Sequence, residues 1–173
     1  MYGDLEVSAE GLARVCESGR ESLREVTINN CGRWRERLTC AIAKCGGLEV
    51  LNLAYSRVED RDIEVFAGAL GRLKRLILRE TKGISAESSV LIGKIATLRE
   101  LDITGVEELP LAPLSPLSLS CLLAGSRSLS PADLQSLEQM DSLQVVSLQD
   151  CTGLSPVAQA RISALPLLTS LLL

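Results

Sequence analysis

Six cysteines are the side chains in this sequence whose type alone suggests chemistry: Cys16, Cys31, Cys40, Cys45, Cys121 and Cys151. A thiolate can act as a nucleophile or a metal ligand, but it usually owes its ionisation to a neighbouring imidazole or other cation. The chain contains no histidine, which removes the commonest general base and the commonest metal ligand together. Cys40 and Cys45 stand five residues apart in a helical pattern, a rotation of about 140° that splays the thiols rather than converging them on zinc. The cysteines are therefore expected to be reduced, buried small apolar residues, Cys45 above all.

Other motifs are equally poor as catalytic apparatus. Gly93-Lys94 has the end of a phosphate loop, yet Ile95 replaces the Ser or Thr that follows and Ser88 occupies the upstream glycine position. Asp60-Arg61-Asp62 places acids where a helix dipole favours them, a helix start rather than an acid/base pair. Pro110, Pro113 and Pro116 have polyproline spacing, but the leucines between them fit a structural crossover better. The segment Arg33-Trp34-Arg35-Glu36-Arg37 could clamp phosphate and stack on a base, although it falls at a strand-to-helix turn where solvated charge is ordinary. No catalytic, cofactor or metal site is expected, and the sequence reads as that of a non-enzyme.

The elements that position these residues must be built almost without rings. Apolar residues make up 46% of 173, but there are only one Trp, two Tyr and one Phe, so the core is Leu, Ile, Val and Ala. A stack of like coils suits such a core, because branched aliphatic side chains pack well on their own copies. The net charge of −4 disfavours a general nucleic-acid binder. Neither a long apolar run nor a secretory leader is evident, so a cytoplasmic or nuclear location is expected, with no membrane or small-molecule partner.

A repeat accounts for most of the chain. The pattern Leu-x-x-Leu-x-Leu recurs as Leu23-Val26-Ile28, Leu48-Leu51-Leu53, Leu73-Leu76-Leu78, Leu98-Leu101-Ile103, Leu119-Leu122-Ala124, Leu143-Val146-Leu148 and Leu168-Leu171-Leu173. Successive first positions are separated by 25, 25, 25, 21, 24 and 25 residues. Alternation within each copy predicts a short strand with one buried face. Between copies the spacing becomes helical, as in Leu38, Ala41, Ile42, Cys45 and in Ile63, Phe66, Ala67, Leu70. Helix starts are predicted at Asp60, Ser85, Ser130-Pro131 and Ser155-Pro156.

This pattern resembles the leucine-rich-repeat family, and the run from Ile42 to Leu53 is similar to its cysteine-containing class, known from F-box-type adaptors. The resemblance implies an α/β solenoid with parallel strands on the concave face and short helices or extended crossovers on the convex face. It implies a single domain over residues 1–173 with about seven strands, a protein-binding scaffold or adaptor role, and no cofactor. At the family's Asn/Cys position the series runs Cys31, Ser56, Thr81, Val106, Arg127 and Cys151, so irregularity is expected around Val106 and Arg127. The same region has the 21-residue spacing and three prolines, which predict an extended crossover over 109–116. Uncapped apolar ends predict a piece of a longer chain.

Strand alternation aims the residues between the leucines at a partner. Near the centre of that face stand Asn52, Tyr55, Arg75, Ile77, Arg79, Glu100 and Asp102, an amphipathic ring, an apolar side chain and four charges suited to a protein interface. The same charges could instead pair with one another across the strands. The alternative function is a ribonucleoprotein subunit touching RNA through a local basic patch of Arg33, Trp34, Arg35, Arg72, Lys74, Arg75, Arg79 and Lys82.

Overall fold

The computed structural model describes residues 9–31 and 36–173. Three-residue strands arise wherever the repeat alternates: β1 (Glu25–Thr27), β2 (Val50–Asn52), β3 (Arg75–Ile77), β4 (Glu100–Asp102), β5 (Cys121–Leu123), β6 (Val145–Ser147) and β7 (Ser170–Leu172). They form one parallel sheet in chain order, and the register joins each residue to its copy one repeat away, as in Val26, Leu51, Leu76, Leu101, Leu122, Val146 and Leu171. A three-residue strand buries too little to stand alone. Here its central side chain stacks on identical neighbours, and the row from Leu51 to Val146 is at most 1% exposed.

Helices α1 (Ala9–Gly19), α2 (Glu36–Ala43), α3 (Asp60–Ala69), α4 (Ala86–Ile92), α5 (Pro131–Leu137) and α6 (Pro156–Ser163) occupy the connections. Their apolar stripes meet the strand leucines in a single core; Leu38, Ala41, Ile42 and Cys45 are all buried, as are Ile63, Phe66 and Leu70. The serine caps form where the sequence places them: Ser85 accepts from the Glu87 amide, Ser130 from that of Asp133 and Ser155 from that of Ala158, with proline opening the last two helices. Asp60 starts its helix as expected and also reaches beyond it. It is the first residue of α3, whose cap is Glu59, and its carboxylate accepts from the Ser85 amide at 2.8 Å and the Ser85 hydroxyl at 2.7 Å, tying one repeat to the next.

The crossover between β4 and β5 is also tighter than an extended segment. Ala112–Leu114 makes one 3-10 turn, a geometry that tolerates Pro113 near its start, and Leu109, Leu111 and Leu114 are fully buried. Beyond each of the first six strands one residue takes the left-handed conformation: Asn30, Tyr55, Glu80, Gly105, Ser126 and Asp150 have φ between +52° and +71°. That shared step lets the chain leave the sheet the same way in each repeat. At Gly105 an added Cβ would lie 2.4 Å from the Glu80 carboxylate, so glycine serves both the conformation and the close approach. Among the described residues no helix is long and apolar enough to cross a membrane.

Candidate functional site

The strand face is assembled by register alone. Glu25, Val50, Arg75, Glu100, Cys121, Val145 and Ser170 form one row, and Thr27, Asn52, Ile77, Asp102, Leu123, Ser147 and Leu172 the next. A third row continues past the strands, where the amides of Tyr55 and Glu80 donate to the carbonyls of Arg79 and Thr104. Asn52, Tyr55, Arg75, Ile77, Arg79, Glu100 and Asp102 are thereby gathered onto three neighbouring strands and their exits.

Their chemistry is more internally committed than free charges would be. Arg75 Nε lies 3.1 Å from Glu100 Oε2, and Arg79 holds Asp102 Oδ2 through both Nε and Nη2 at 3.1 Å. The two pairs differ. Arg75 and Glu100 remain half exposed, whereas Asp102 is 8% exposed, a correction to its expected solvent position. Its other oxygen accepts from the Thr104 amide at 3.0 Å, and Asn52 Oδ1 accepts from the Ala54 amide at 3.1 Å in the same local turn. Ile77, expected to be exposed, is half-buried and stands in register between Asn52 and Asp102. Tyr55 is the prominent ring of the face, 54% exposed at its left-handed step.

The basic patch proposed for RNA does not converge among the described residues. Lys74 pairs with Glu49 at 2.7 Å, Arg75 and Arg79 are engaged as above, and Lys82 lies at the strand-exit rim in a bridge with Arg57. Arg33, Trp34 and Arg35 lie outside the described residues.

The cysteines are all unbridged, but their burial varies: Cys16 and Cys45 are buried, Cys31, Cys121 and Cys151 half-buried, and Cys40 exposed, against expectation. Cys45 Sγ donates to the Cys16 carbonyl at 3.6 Å. Burial, then the neighbouring Cys45, pushes the Cys16 thiol up to about 11, so it stays protonated at neutral pH and is a poor nucleophile. This contact between α1 and the end of α2 has no signal in local sequence spacing. Gly93 ends α4 instead of opening a helix, and a Cβ there would meet the Pro113 carbonyl, so it is a packing glycine. Among the described residues no cluster of three His, Cys, Asp or Glu side chains could hold a metal.

A second charged row emerges where the chain enters its strands. Arg24, Glu49, Lys74, Arg99, Ser120, Gln144 and Thr169 are adjacent, each amide from Glu49 onward donating to the preceding member's carbonyl at 2.8 Å. Its signal was present in the sequence as the second position of every repeat.

No protein-family model and no curated protein matches the chain. Solved structures do. An internalin (inlF) from Listeria monocytogenes is 17% identical with a TM-score of 0.68 over 94% of this chain, which spans 54% of that protein's length. Internalin C2 of the same organism is 16% identical with a TM-score of 0.59, covering 94% of this chain and 80% of its own. The tropomodulin C-terminal domain of Caenorhabditis elegans is 18% identical with a TM-score of 0.53, covering 91% and 90%. These are leucine-rich-repeat folds, and the likeness, with the seven-stranded parallel sheet, establishes an α/β leucine-rich-repeat solenoid.

Proposed function

We propose that this chain is a non-catalytic protein-interaction scaffold that binds its partner through the strand face, with Tyr55, Asn52 and Ile77 at the centre and the pairs Arg75–Glu100 and Arg79–Asp102 beside them. The observation that carries this reading is the half-exposed Tyr55 ring at the exit of β2, with half-buried Ile77 on the neighbouring strand β3, on a sheet whose other face is fully occupied by the core. A tyrosine gives a large contact area at small entropic cost, and arginines beside it supply directional donors. An exposed ion pair is worth little by itself, so a partner carboxylate can replace Glu100 on Arg75 at small cost. Asp102 acts differently: buried and doubly held, it sets the Arg79 guanidinium in place. The cysteine-type repeat supports an adaptor role in the cytoplasm or nucleus.

The test keeps Arg79, because removing it would strand a buried carboxylate. In Tyr55→Asn combined with Arg75→Ser, asparagine tolerates the left-handed backbone. Affinity purification of the tagged protein with quantitative mass spectrometry should recover partners with the native chain and lose them with this variant at an unchanged melting temperature. Equal recovery of every partner by a fully folded variant would reject this placement.

A further inference from the structure

The rim where the chain enters its strands is strongly polarised, and the strand face makes no use of it. In the row from Arg24 to Thr169 the first four members carry three cations and one carboxylate, and the last three carry no charge. The basic half borders an open groove of about 570 Å³ lined in part by Arg20, Arg24, Lys44, Arg72 and the Gly46-Gly47 pair. Glu21, the one acid among its described lining residues, sits 3.8 Å from Arg20. Glu49 pairs with Lys74 at 2.7 Å and also feels the charges of Arg24 and Arg72, but among the described residues no carboxylate lies within ion-pair distance of Arg24, Lys44 or Arg72.

The cations are also set in place. Arg24 Nη1 donates to the carbonyls of Glu21 at 3.1 Å and Leu23 at 3.2 Å, and Arg99 Nη1 repeats the arrangement on Ala96 at 3.0 Å and Leu98 at 2.7 Å. One nitrogen anchors each guanidinium to its own turn and leaves the rest of the fork for an anion. Gly47 belongs to this device, because a Cβ there would lie 2.4 Å from Arg24 Nη1. The strand-exit rim is the more acidic, exposing Glu59, Glu80, Glu107, Glu108 and Asp150 beside the cations Arg57 and Lys82.

We propose that the strand-entry rim of the first four repeats is a docking track for an acidic peptide segment of a partner protein. Neighbouring strands lie about 4.8 Å apart, so Arg24 to Arg99 covers about 14 Å, the reach of roughly four extended residues. Carboxylates along such a peptide meet Arg24, Arg72 and Arg99, while Glu49 stays on Lys74, and the more acidic strand-exit rim disfavours the same peptide and so sets the side on which it lies. A nucleic acid fits less well. Among the described residues no aromatic ring lines the groove to stack a base, and the protein as a whole is net negative.

The experiment is fluorescence anisotropy of labelled octaglutamate and, separately, labelled octauridylate against the full chain at low and physiological salt. Octaglutamate should bind, and Arg24→Glu with Arg72→Glu should weaken it roughly tenfold or more. Arg57→Glu with Lys82→Glu, on the other rim, should leave affinity within about twofold. Gly47→Ala alters no charge, yet by displacing Arg24 it should weaken binding in the same direction, and it provides the reading if the double reversal fails to fold. Absence of octaglutamate binding, affinity indifferent to the rim substitutions in folded protein, or tighter binding of octauridylate would each overturn the proposal.

Discussion

Two stretches of this solenoid solve one stacking problem by different means. From β1 to β4 the repeats are each 25 residues long, and small polar side chains stitch them together: Ser56 Oγ accepts from the Cys31 amide and donates to the Ile28 carbonyl, both at 3.1 Å, and Thr81 Oγ1 donates to the Leu53 carbonyl at 3.2 Å. From β4 to β5 the spacing drops to 21, the equivalent residue is the apolar Val106, and the next in line is Arg127. Even so, Glu100, Leu101 and Asp102 pair in register with Cys121, Leu122 and Leu123, and the left-handed step passes from Gly105 to Ser126 without interruption. The whole deletion is absorbed on the helix side, where a single 3-10 turn stands in for a helix. The strand face is thus the invariant of the architecture and the helix side its adjustable part.

The sharpest way to break that comparison is to remove a strand leucine from each stretch. Leu76→Ala and Leu101→Ala should each cost about 2–5 kcal/mol in urea unfolding, since both side chains are 1% exposed and stacked on like neighbours. Leu111→Ala, in the crossover, should fall in the same range because that side chain is fully buried too. A much smaller loss at Leu111 would mean that the crossover is packed loosely and that the core is not continuous across the irregular repeat.

The next effect is confined to the irregular stretch. Arg127 is 3% exposed; its Nη2 donates to the Leu109 carbonyl at 2.8 Å, while Nε and Nη1 have no partner. Burial lowers the guanidinium's affinity for its proton, opposed chiefly by nearby Asp133. Orphaned donors on a buried cation are costly, and filling the same volume with an apolar chain is commonly neutral or stabilising. Both Arg127→Met and Arg127→Ala bare the Leu109 carbonyl, but Met fills the space and relieves the orphaned donors, so it should lose little, whereas Ala adds a void and should lose about 2 kcal/mol or more. Equal losses for Met and Ala would show that the hydrogen bond to Leu109, not the filled volume, is what the arginine contributes.

How much of this was legible depends on which period carried it. The seven copies of the leucine pattern fixed strand positions, the register between Val26, Leu51, Leu76 and Leu101, and membership of the face rows, because a period-two strand leaves one choice of face. Neighbour effects were not legible. Nothing in Leu101-Asp102-Ile103 says that Arg79, 23 residues earlier, reaches Asp102, or that Ile77 is half-buried on the strand before it. Asp60 was legible as a helix start, but not its long-range bonds to Ser85 and Ser88 at the following helix start. At Arg127 the sequence flagged an unusual residue at an inward position, but not how the guanidinium would be accommodated.

Acid provides a gentler probe of the same contrast, through two carboxylates that join repeats on the helix side. Asp60 in the regular stretch accepts from Ser85 and Ser88; Asp133 in the irregular one accepts from the buried Leu111 amide at 2.8 Å and from Ser130. Burial pushes both upward, but hydrogen bonds from Ser88 and Ser85 outweigh it at Asp60, as those from Leu111 and Ser130 do at Asp133, so both end below the ordinary aspartate value of 3.8. A carboxylate depressed in the folded state stabilises the fold above 3.8 and loses that contribution as pH falls through its lower folded value. Unfolding free energy measured downward from pH about 5 should then fall less steeply in Asp60→Asn and Asp133→Asn than in the native chain. The flattening should be greater at Asp133, because its protonation also deprives buried Arg127 of a facing charge. Superimposable acid limbs for all three proteins would place the acid-sensitive bonds elsewhere; a larger change at Asp60 would put the greater electrostatic load on the regular repeats, where the serine and threonine stitches already hold adjacent strands together.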